Sequence, residues 1–210
     1  MYQKLRKTFK AKRRVLKRKL HTFPLWYKEP DFIFIHINKT GGSSIEKALK
    51  LPFEHLTAAE KKAEVGEQKW HEKFTFTFVR NPFDKVCSHY RYRVKTNQSK
   101  LKDKPLSFTD WVRRSYLQQE PFYYDNPKMF MPQTKWLYDQ NGEVMVDHVY
   151  RFENLDRDFK ELTQKLKIDA QLPHLKPSKK VDYRTFYDGP TMEIVTELFN
   201  KDLEEFDYQF

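Results

Sequence analysis

Three short apolar stretches, each followed by a segment with helical periodicity, organise most of the chain. They are FIFIHI (residues 32–37), FTFTFV (74–79) and VDHVYRF (146–152), whose β-branched and aromatic residues are typical of strands. Helices are predicted at about 43–50, from Pro82 onward and at about 155–167, with others at 57–65 and after Pro190. A strand followed by a helix three times over predicts an α/β fold with a central parallel sheet flanked by helices.

Two of these helices carry clear start signals. Thr57 and Glu60 have the spacing of a capping box, and Gly66 is placed to end the same helix. Pro82 suits the first turn of the helix that follows the second strand.

An aromatic-rich segment, residues 96–145, separates the second and third strand–helix units. In an α/β fold such an insertion is expected to wall the cleft above the carboxyl ends of the strands. Its aromatic residues either stack on sugar rings in that cleft or pack in the core. They are Trp111, Tyr116, Phe122, Tyr123, Tyr124, Phe130, Trp136 and Tyr138.

The net charge of +11 is concentrated at the N-terminus. Residues 1–20 carry ten Lys or Arg and no acid, which leaves thirty basic and twenty-nine acidic side chains in residues 21–210. We therefore divide the chain into a basic N-terminal arm and connector, residues 1–30, and a nearly neutral domain, residues 31–210. The high pI thus gives no reason to expect a nucleic-acid-binding fold.

The arm has the pattern of a basic amphipathic helix. Its apolar positions fall on one side and its cations around the rest. These apolar positions are Tyr2, Leu5, Phe9, Leu16 and Leu20. Such a helix suits an anionic membrane surface; a solvated tail is the alternative, and nucleic acid is not expected as a partner.

Cysteine usage and hydropathy bear on the compartment. Cys87 is the single cysteine, so no intrachain disulfide can form. Every apolar run is far shorter than the roughly 20 residues of a membrane span, and the basic start is not followed by a signal-peptide pattern. We expect a soluble, cytoplasmic protein, with a peripheral position on a membrane as the alternative.

The turn after the first strand, HINKTGGSS, has the composition of an anion site. A strand that ends in a glycine turn and opens a helix directs backbone N–H groups and the positive end of the helix dipole at one point. Lys39 adds a cation, Gly41 and Gly42 allow close approach, and Ser43 and Ser44 add hydroxyl donors. An ordinary strand-to-helix turn is the alternative.

The turn differs from the nucleotide-kinase loop. In G-x-x-x-x-G-K-[ST] the lysine follows the glycines, whereas Lys39 precedes Gly41 and Gly42. The sequence also places no plain magnesium-binding acid at a strand end, and we predict no metal.

A second basic feature follows the next strand. Arg80 leaves the strand and Ser88 lies eight residues later on the predicted helix. A guanidinium and a hydroxyl together suit a phosphate. The alternative is a structural ion pair between Arg80 and Asp84.

Three motifs together resemble those of a known family. In order and spacing, HINKTGGSS, FTFVRNPFDKVCSHY and YRFENLDRDF are similar to the motifs of the sulfotransferases that include the Golgi carbohydrate sulfotransferases and small bacterial relatives. The resemblance covers about residues 31–210. It implies a P-loop-like three-layer fold and the donor 3′-phosphoadenosine 5′-phosphosulfate (PAPS).

The resemblance also assigns residues to the donor. It places the 5′-phosphosulfate on Lys39, Thr40, Gly41, Gly42, Ser43 and Ser44, and the 3′-phosphate on Arg80 and Ser88. The segment 173–188 is similar to the family's late loop over the donor, which implies phosphate contacts from Ser178, Lys179 and Lys180. A solvated basic loop is the alternative there.

Sulfuryl transfer needs a cation on the leaving phosphate and a base on the acceptor hydroxyl. Lys39 is placed for the first task. The candidates for the second are His36, His55, His71, His89 and Glu46. The resemblance selects His55 as the base, because the family has a histidine before a helix that begins with Thr or Ser. We expect His36 to support the turn, and His71 and His89 to lie at the surface.

These observations predict a PAPS-dependent sulfotransferase that acts on a hydroxyl, with a carbohydrate acceptor implied by the family. One alternative is a metal-dependent P-loop phosphotransferase. The other is a non-enzymatic membrane- or nucleic-acid-binding module led by the basic arm.

Overall fold

Three parallel strands form the sheet at the centre of the fold. The computed structural model describes residues 29–173 and 181–210. The strands are β1 (Phe32–Ile35), β2 (Phe74–Val79) and β3 (His148–Arg151), with β2 in the middle. Ile35 pairs with Thr77, and Val79 pairs with Arg151. All three carboxyl ends therefore meet at one edge of the sheet, as predicted for this α/β fold.

Nine α-helices lie in the part of the chain that the structure describes. They are α1 (Gly42–Ala48), α2 (Ala58–Val65), α3 (Glu67–Glu72), α4 (Pro82–Lys95), α5 (Phe108–Val112), α6 (Thr134–Leu137), α7 (Leu155–Lys165), α8 (Gly189–Leu198) and α9 (Asn200–Glu205). A π-helical turn follows α5 at Arg113–Leu117, and 3₁₀ turns lie at Gln98–Lys100, Pro127–Phe130, Phe152–Asn154 and Tyr183–Phe186.

Local sequence signals correctly predicted the starts of α2 and α4, but not the break in the last helix. Thr57 and Glu60 form the capping box, and Pro82 occupies the first turn of α4. The prediction of one continuous helix after Pro190 was wrong, because the chain breaks into α8 and α9 at Phe199. Phe199 is fully buried between them, so the bend lets this residue enter the core.

The alternation along β1 buries both faces of the sheet. Phe32 and Phe34 join Phe76 and Phe78 on one face, under α1 and α7. Ile33 and Ile35 face the opposite layer, which contains α2, α3 and α6. A parallel sheet covered on both faces needs such continuously apolar strands, which explains the three-layer arrangement.

The insertion packs its aromatic residues inward. Trp111, Tyr116, Phe130 and Trp136 are each less than 5% exposed, so of the two alternatives, core packing holds for these four and sugar stacking does not. Three of them pack with α4, and Trp136 packs with Ile35 and Ile37. Burial of such large rings is the main favourable contribution of this segment.

Asp202 of α9 fixes the insertion to the sheet. Its carboxylate accepts hydrogen bonds from the backbone N–H of Gln133 (2.7 Å) and of Thr134 (2.8 Å), at the start of α6. The Gln133 side chain in turn bonds the backbone of Arg80 at both its N–H and its carbonyl. The insertion thus reaches the end of β2, as expected for a cleft wall.

Some predicted features lie outside the described residues. These are the basic arm (residues 1–20), Ser178, Lys179 and Lys180. Among the helices that are described, none combines the length and the apolar character required to cross a bilayer.

Candidate functional site

The turn between β1 and α1 has an unusual backbone. Lys39 has φ +69° and Gly41 has φ +83°, both in the left-handed region. A lysine there costs roughly 1–2 kcal/mol, and such strain is common at functional sites. Side chains hold the turn: Asn38 Nδ2 donates to the Met129 carbonyl at 2.9 Å, and Thr40 Oγ1 donates to the Ile37 carbonyl at 2.9 Å.

The first turn of α1 begins directly after Gly41. Its first hydrogen bond runs from the Ser44 N–H to the Gly41 carbonyl at 2.9 Å. The N–H groups just before it have no acceptor within the helix, as at every helix start. Ser43 is exposed and Ser44 is partly exposed, so both hydroxyls are accessible. The turn therefore combines free donors with a left-handed lysine.

Gly42 is required by the packing beneath the turn. A Cβ at this position would lie 1.9 Å from Cδ2 of His36. His36 is 3% exposed, so its imidazole is enclosed against the Gly42 backbone. His36 thus lies where a residue that supports the turn is expected.

Arg80 connects this turn to α4. Its Nη1 donates to the Lys39 carbonyl at 3.0 Å, and its Nε and Nη2 lie 2.9 Å and 2.7 Å from Oδ2 of Asp84. The guanidinium carbon also lies 4.1 Å from the centre of the Phe152 ring. The ion pair with Asp84 is therefore present. Three of the five N–H donors are used, which leaves two for a ligand.

Ser88 lies on the same face of α4 as Asp84. It follows Asp84 by four residues and is partly exposed. Lys95 lies two further turns along this face. Ser88 thus lies on the helix face that carries Asp84, the ion-pair partner of Arg80.

Lys39 is a perturbed cation beyond the end of β1. Burial, reinforced by the charges of Arg80 and Lys95, lowers its pKa from the ordinary value to about 8. Its Nζ lies 4.1 Å from the centre of the Tyr92 ring on α4. Two further cations, Arg80 after β2 and Lys95 on α4, thus act on Lys39, and of these three only Arg80 has an ion-pair partner among the described residues. Such a cluster attracts anions.

His55 is poised as a proton acceptor. Its Nδ1 lies 3.0 Å from the His36 carbonyl, which can only accept, so Nδ1–H donates and the lone pair is on Nε2. Burial and the neighbouring His36 lower the pKa of His55 from its ordinary value. The imidazole is therefore neutral at pH 7.

The other base candidates are placed differently. His89 is 4% exposed and its Nδ1 lies 3.2 Å from the Tyr116 hydroxyl, so its predicted surface position was wrong. Burial lowers the pKa of His89 well below its ordinary value. His71 is exposed and lies 3.2 Å from Glu67, as predicted. Glu46 is buried on α1.

The family of the chain follows from comparison with known proteins. Residues 26–209 match the model of the sulfotransferase family. The chain belongs to this family. A crystal structure of a sulfotransferase from Alicyclobacillus acidocaldarius is similar to it, at 16% identity and a TM-score of 0.47, over 86% of this chain and 95% of the other. No curated protein matches the chain significantly.

Sequence analysis of this sulfotransferase-family chain missed two residues of the candidate site, Lys95 and Phe53. Lys95 had a signal, because it lies seven residues after Ser88 on one helix face. Phe53 also had a signal, because it lies two residues before His55. The structure adds that this side chain is 67% exposed and that its ring centre lies 4.9 Å from that of His55.

A cavity of about 350 Å³ lies elsewhere on this sulfotransferase-family chain, along β3. Its lining includes His148, Arg151 and Glu205, and contains none of the predicted site residues that the structure describes. Within residues 29–173 and 181–210, no cluster of three or more His, Cys, Asp or Glu side chains is arranged to hold a metal ion.

We predict that Gly42→Ala destabilises the protein by about 1–3 kcal/mol, because its methyl group forces His36 out of place. Gly189→Ala is the matched control: Gly189 also begins a helix, and nothing lies within 4 Å of its added Cβ. Urea unfolding of both variants measures the difference. Equal stability of the two variants would contradict the close packing of His36 on Gly42.

Proposed function

We propose that this sulfotransferase-family protein transfers the sulfuryl group of PAPS to a hydroxyl of an acceptor, with a saccharide as the acceptor class. The observation that carries the proposal is the cationic character of the glycine turn: Arg80 donates to the Lys39 carbonyl, and the charges of Arg80 and Lys95 both act on the buried Lys39 side chain. PAPS carries anionic groups at both ends of one nucleoside. A site with cations from two neighbouring strand ends and a helix fits a ligand of that charge pattern.

The donor-binding residues are assigned by position. Lys39, the N–H groups of residues 40–44 and the hydroxyls of Ser43 and Ser44 would hold the phosphosulfate, with Thr40 taking part through its N–H alone, and Arg80 and Ser88 would hold the 3′-phosphate. The two N–H donors of Arg80 that Asp84 and Lys39 leave unused support its part. Ser178 and Lys180 remain proposals from the sequence, as does the contact of the basic arm with a membrane.

The chemistry supplied by the donor is an activated sulfuryl group with a phosphate as its leaving group. His55 would take the acceptor's proton on Nε2, the nitrogen that its bond to the His36 carbonyl leaves unprotonated. Lys39, when protonated, would neutralise charge that develops on the leaving phosphate. Both groups lie near the carboxyl end of β1: Lys39 follows this strand in the chain, and His55 donates to the His36 carbonyl just beyond it.

Phe53 supports a ring-shaped acceptor. The ring is 67% exposed and its centre lies 4.9 Å from that of His55, so an acceptor bound at His55 would have this ring beside it. Sugars and phenols both present a flat apolar face that stacks on phenylalanine. Phe53, rather than the buried aromatic residues of the insertion, is therefore our candidate for stacking on the acceptor.

The first test is calorimetric titration with adenosine 3′,5′-bisphosphate, the desulfated donor, beside ATP with magnesium. We expect binding of the bisphosphate in preference to ATP, and Arg80→Ala to weaken it by about tenfold or more through loss of charge-assisted bonds. Asp84→Asn is the control, because it frees Arg80 without removing it. Equal weakening by both variants would assign Arg80 a structural role alone, and preference for magnesium ATP would favour the phosphotransferase.

The affinity for the bisphosphate should depend on pH through Lys39. Only the protonated lysine attracts phosphate, so affinity falls as the pH rises through about 8, the pKa of Lys39. In Lys39→Met the affinity should be lower and should lose this step. Burial also lowers the pKa of Lys85 to about 8, but Lys85 remains in the variant, so the difference reports Lys39. An unchanged step in the variant would exclude Lys39 as its source.

Initial rates with PAPS and two probe acceptors, 4-nitrophenyl β-D-glucoside and 2-naphthol, separate the roles of His55 and Phe53. We expect His55→Ala to lower kcat by about a hundredfold or more, since a general base is lost. Phe53→Ala should instead raise the KM of the acceptor, whereas Phe53→Tyr should not. His71→Ala is the surface control. Near-normal turnover by His55→Ala would remove this residue from the mechanism.

A further inference from the structure

Glu46 is a buried carboxylate between the anion turn and the base candidate. It lies on α1, the helix that the turn opens, and is 4% exposed. Its Oε1 accepts a hydrogen bond from the backbone N–H of Glu54 at 3.0 Å. Glu54 immediately precedes His55, so this bond holds the segment that carries both His55 and Phe53.

The same carboxylate oxygen also contacts His36. Oε1 of Glu46 lies 2.8 Å from Nδ1 of His36, a close contact that lacks the geometry of a hydrogen bond. His36 contacts the two functional elements at once: its ring packs on the Gly42 backbone, and its carbonyl accepts the Nδ1–H of His55. The centres of the His36 and His55 rings are 4.2 Å apart.

These contacts form one continuous chain from the turn to the base. Along the chain, Gly42 and His55 are connected through α1 and the segment that follows it. The Glu46 side chain provides a second, more direct connection between the two. Movement of the segment at residues 53–55 relative to the turn would break the Glu54 bond, the His55 bond or the His36 packing.

We propose that Glu46 is a positioning residue, which fixes the orientation and tautomer of His55 relative to the anion turn through Glu54 and His36. The proposal rests on the proposed role of His55 as the base. Glu46 itself is a poor candidate for that role, because it is buried and its Oε1 is already committed to two neighbours. Its Oε2 has no hydrogen-bond partner among the described residues, so the carboxylate is retained despite a cost of burial.

The test reads the tautomer of His55 directly in the full-length protein. Long-range ¹H–¹⁵N spectra, recorded where the imidazoles are neutral, distinguish a protonated Nδ1 from a protonated Nε2, and His55→Ala assigns the signal. Glu46→Met keeps the length of the side chain but removes the acceptor oxygen. Glu46→Gln keeps an oxygen for the Glu54 N–H. Asp158→Asn alters a different buried carboxylate, which accepts from the Arg151 N–H, and is the matched control.

We expect a single Nδ1–H tautomer in the wild type, in Glu46→Gln and in Asp158→Asn, and loss of that single tautomer in Glu46→Met. An Nδ1–H tautomer that persists in a folded Glu46→Met would overturn the proposal. An Nε2–H tautomer in the wild type would overturn it too, and this result does not require any variant to fold.

Binding of adenosine 3′,5′-bisphosphate, measured on the same samples, separates this proposal from the proposed function. Binding without a Glu46 effect on His55 removes the positioning role and leaves the sulfotransferase assignment intact. If Glu46 affects His55 but the protein does not bind the bisphosphate, the contact of Glu46 with the His55 segment is supported, whereas the proposed sulfotransferase role of His55 is not.

Discussion

The hydrogen bond from Arg80 to the Lys39 carbonyl is the constraint on which the candidate site depends. It joins the residue after β2 to the left-handed residue after β1, at the sheet edge where both strands end. Asp84 orients the guanidinium from α4, and Gln133 holds the backbone of Arg80 from the insertion. One residue thus links the strained turn and α4 through its side chain and the long insertion through its backbone.

The same contacts bring like charges together. Burial disfavours the charged form of Lys39, and the charges of Arg80 and Lys95 disfavour it further. The folded protein accepts both this repulsion and the left-handed backbone of Lys39 in one turn, above strands whose Phe and Ile side chains are mostly buried. Local conflict above a consistent core is the pattern expected where selection acts on a ligand rather than on stability.

Sequence analysis predicted the features that depend on interactions between nearby residues. Two-residue alternation located the strands, a capping box located α2, and the crowding of Lys39 with two glycines indicated the turn. It missed features that depend on packing between segments far apart in the chain. His89 carries no sign of burial in its neighbours, yet the insertion folds over it. Phe53 lies two residues before His55, but only the structure shows that its ring is exposed and contacts the imidazole. The choice between ion pair and ligand for Arg80 was open because one guanidinium can serve both.

The two halves of the site are therefore built under different rules. The proposed donor side consists of strand ends and helix starts, whose directions are fixed by backbone geometry, so a short motif specifies it. The proposed acceptor side consists of the segment at residues 53–55 and the insertion, whose positions depend on side-chain contacts such as Glu46 with Glu54 and Asn38 with Met129. Changes in loop length or in a single buried side chain can reshape this second half without touching the first. A family motif consequently carries information about the donor but little about the acceptor, and the acceptor must be sought from the exposed surface around His55.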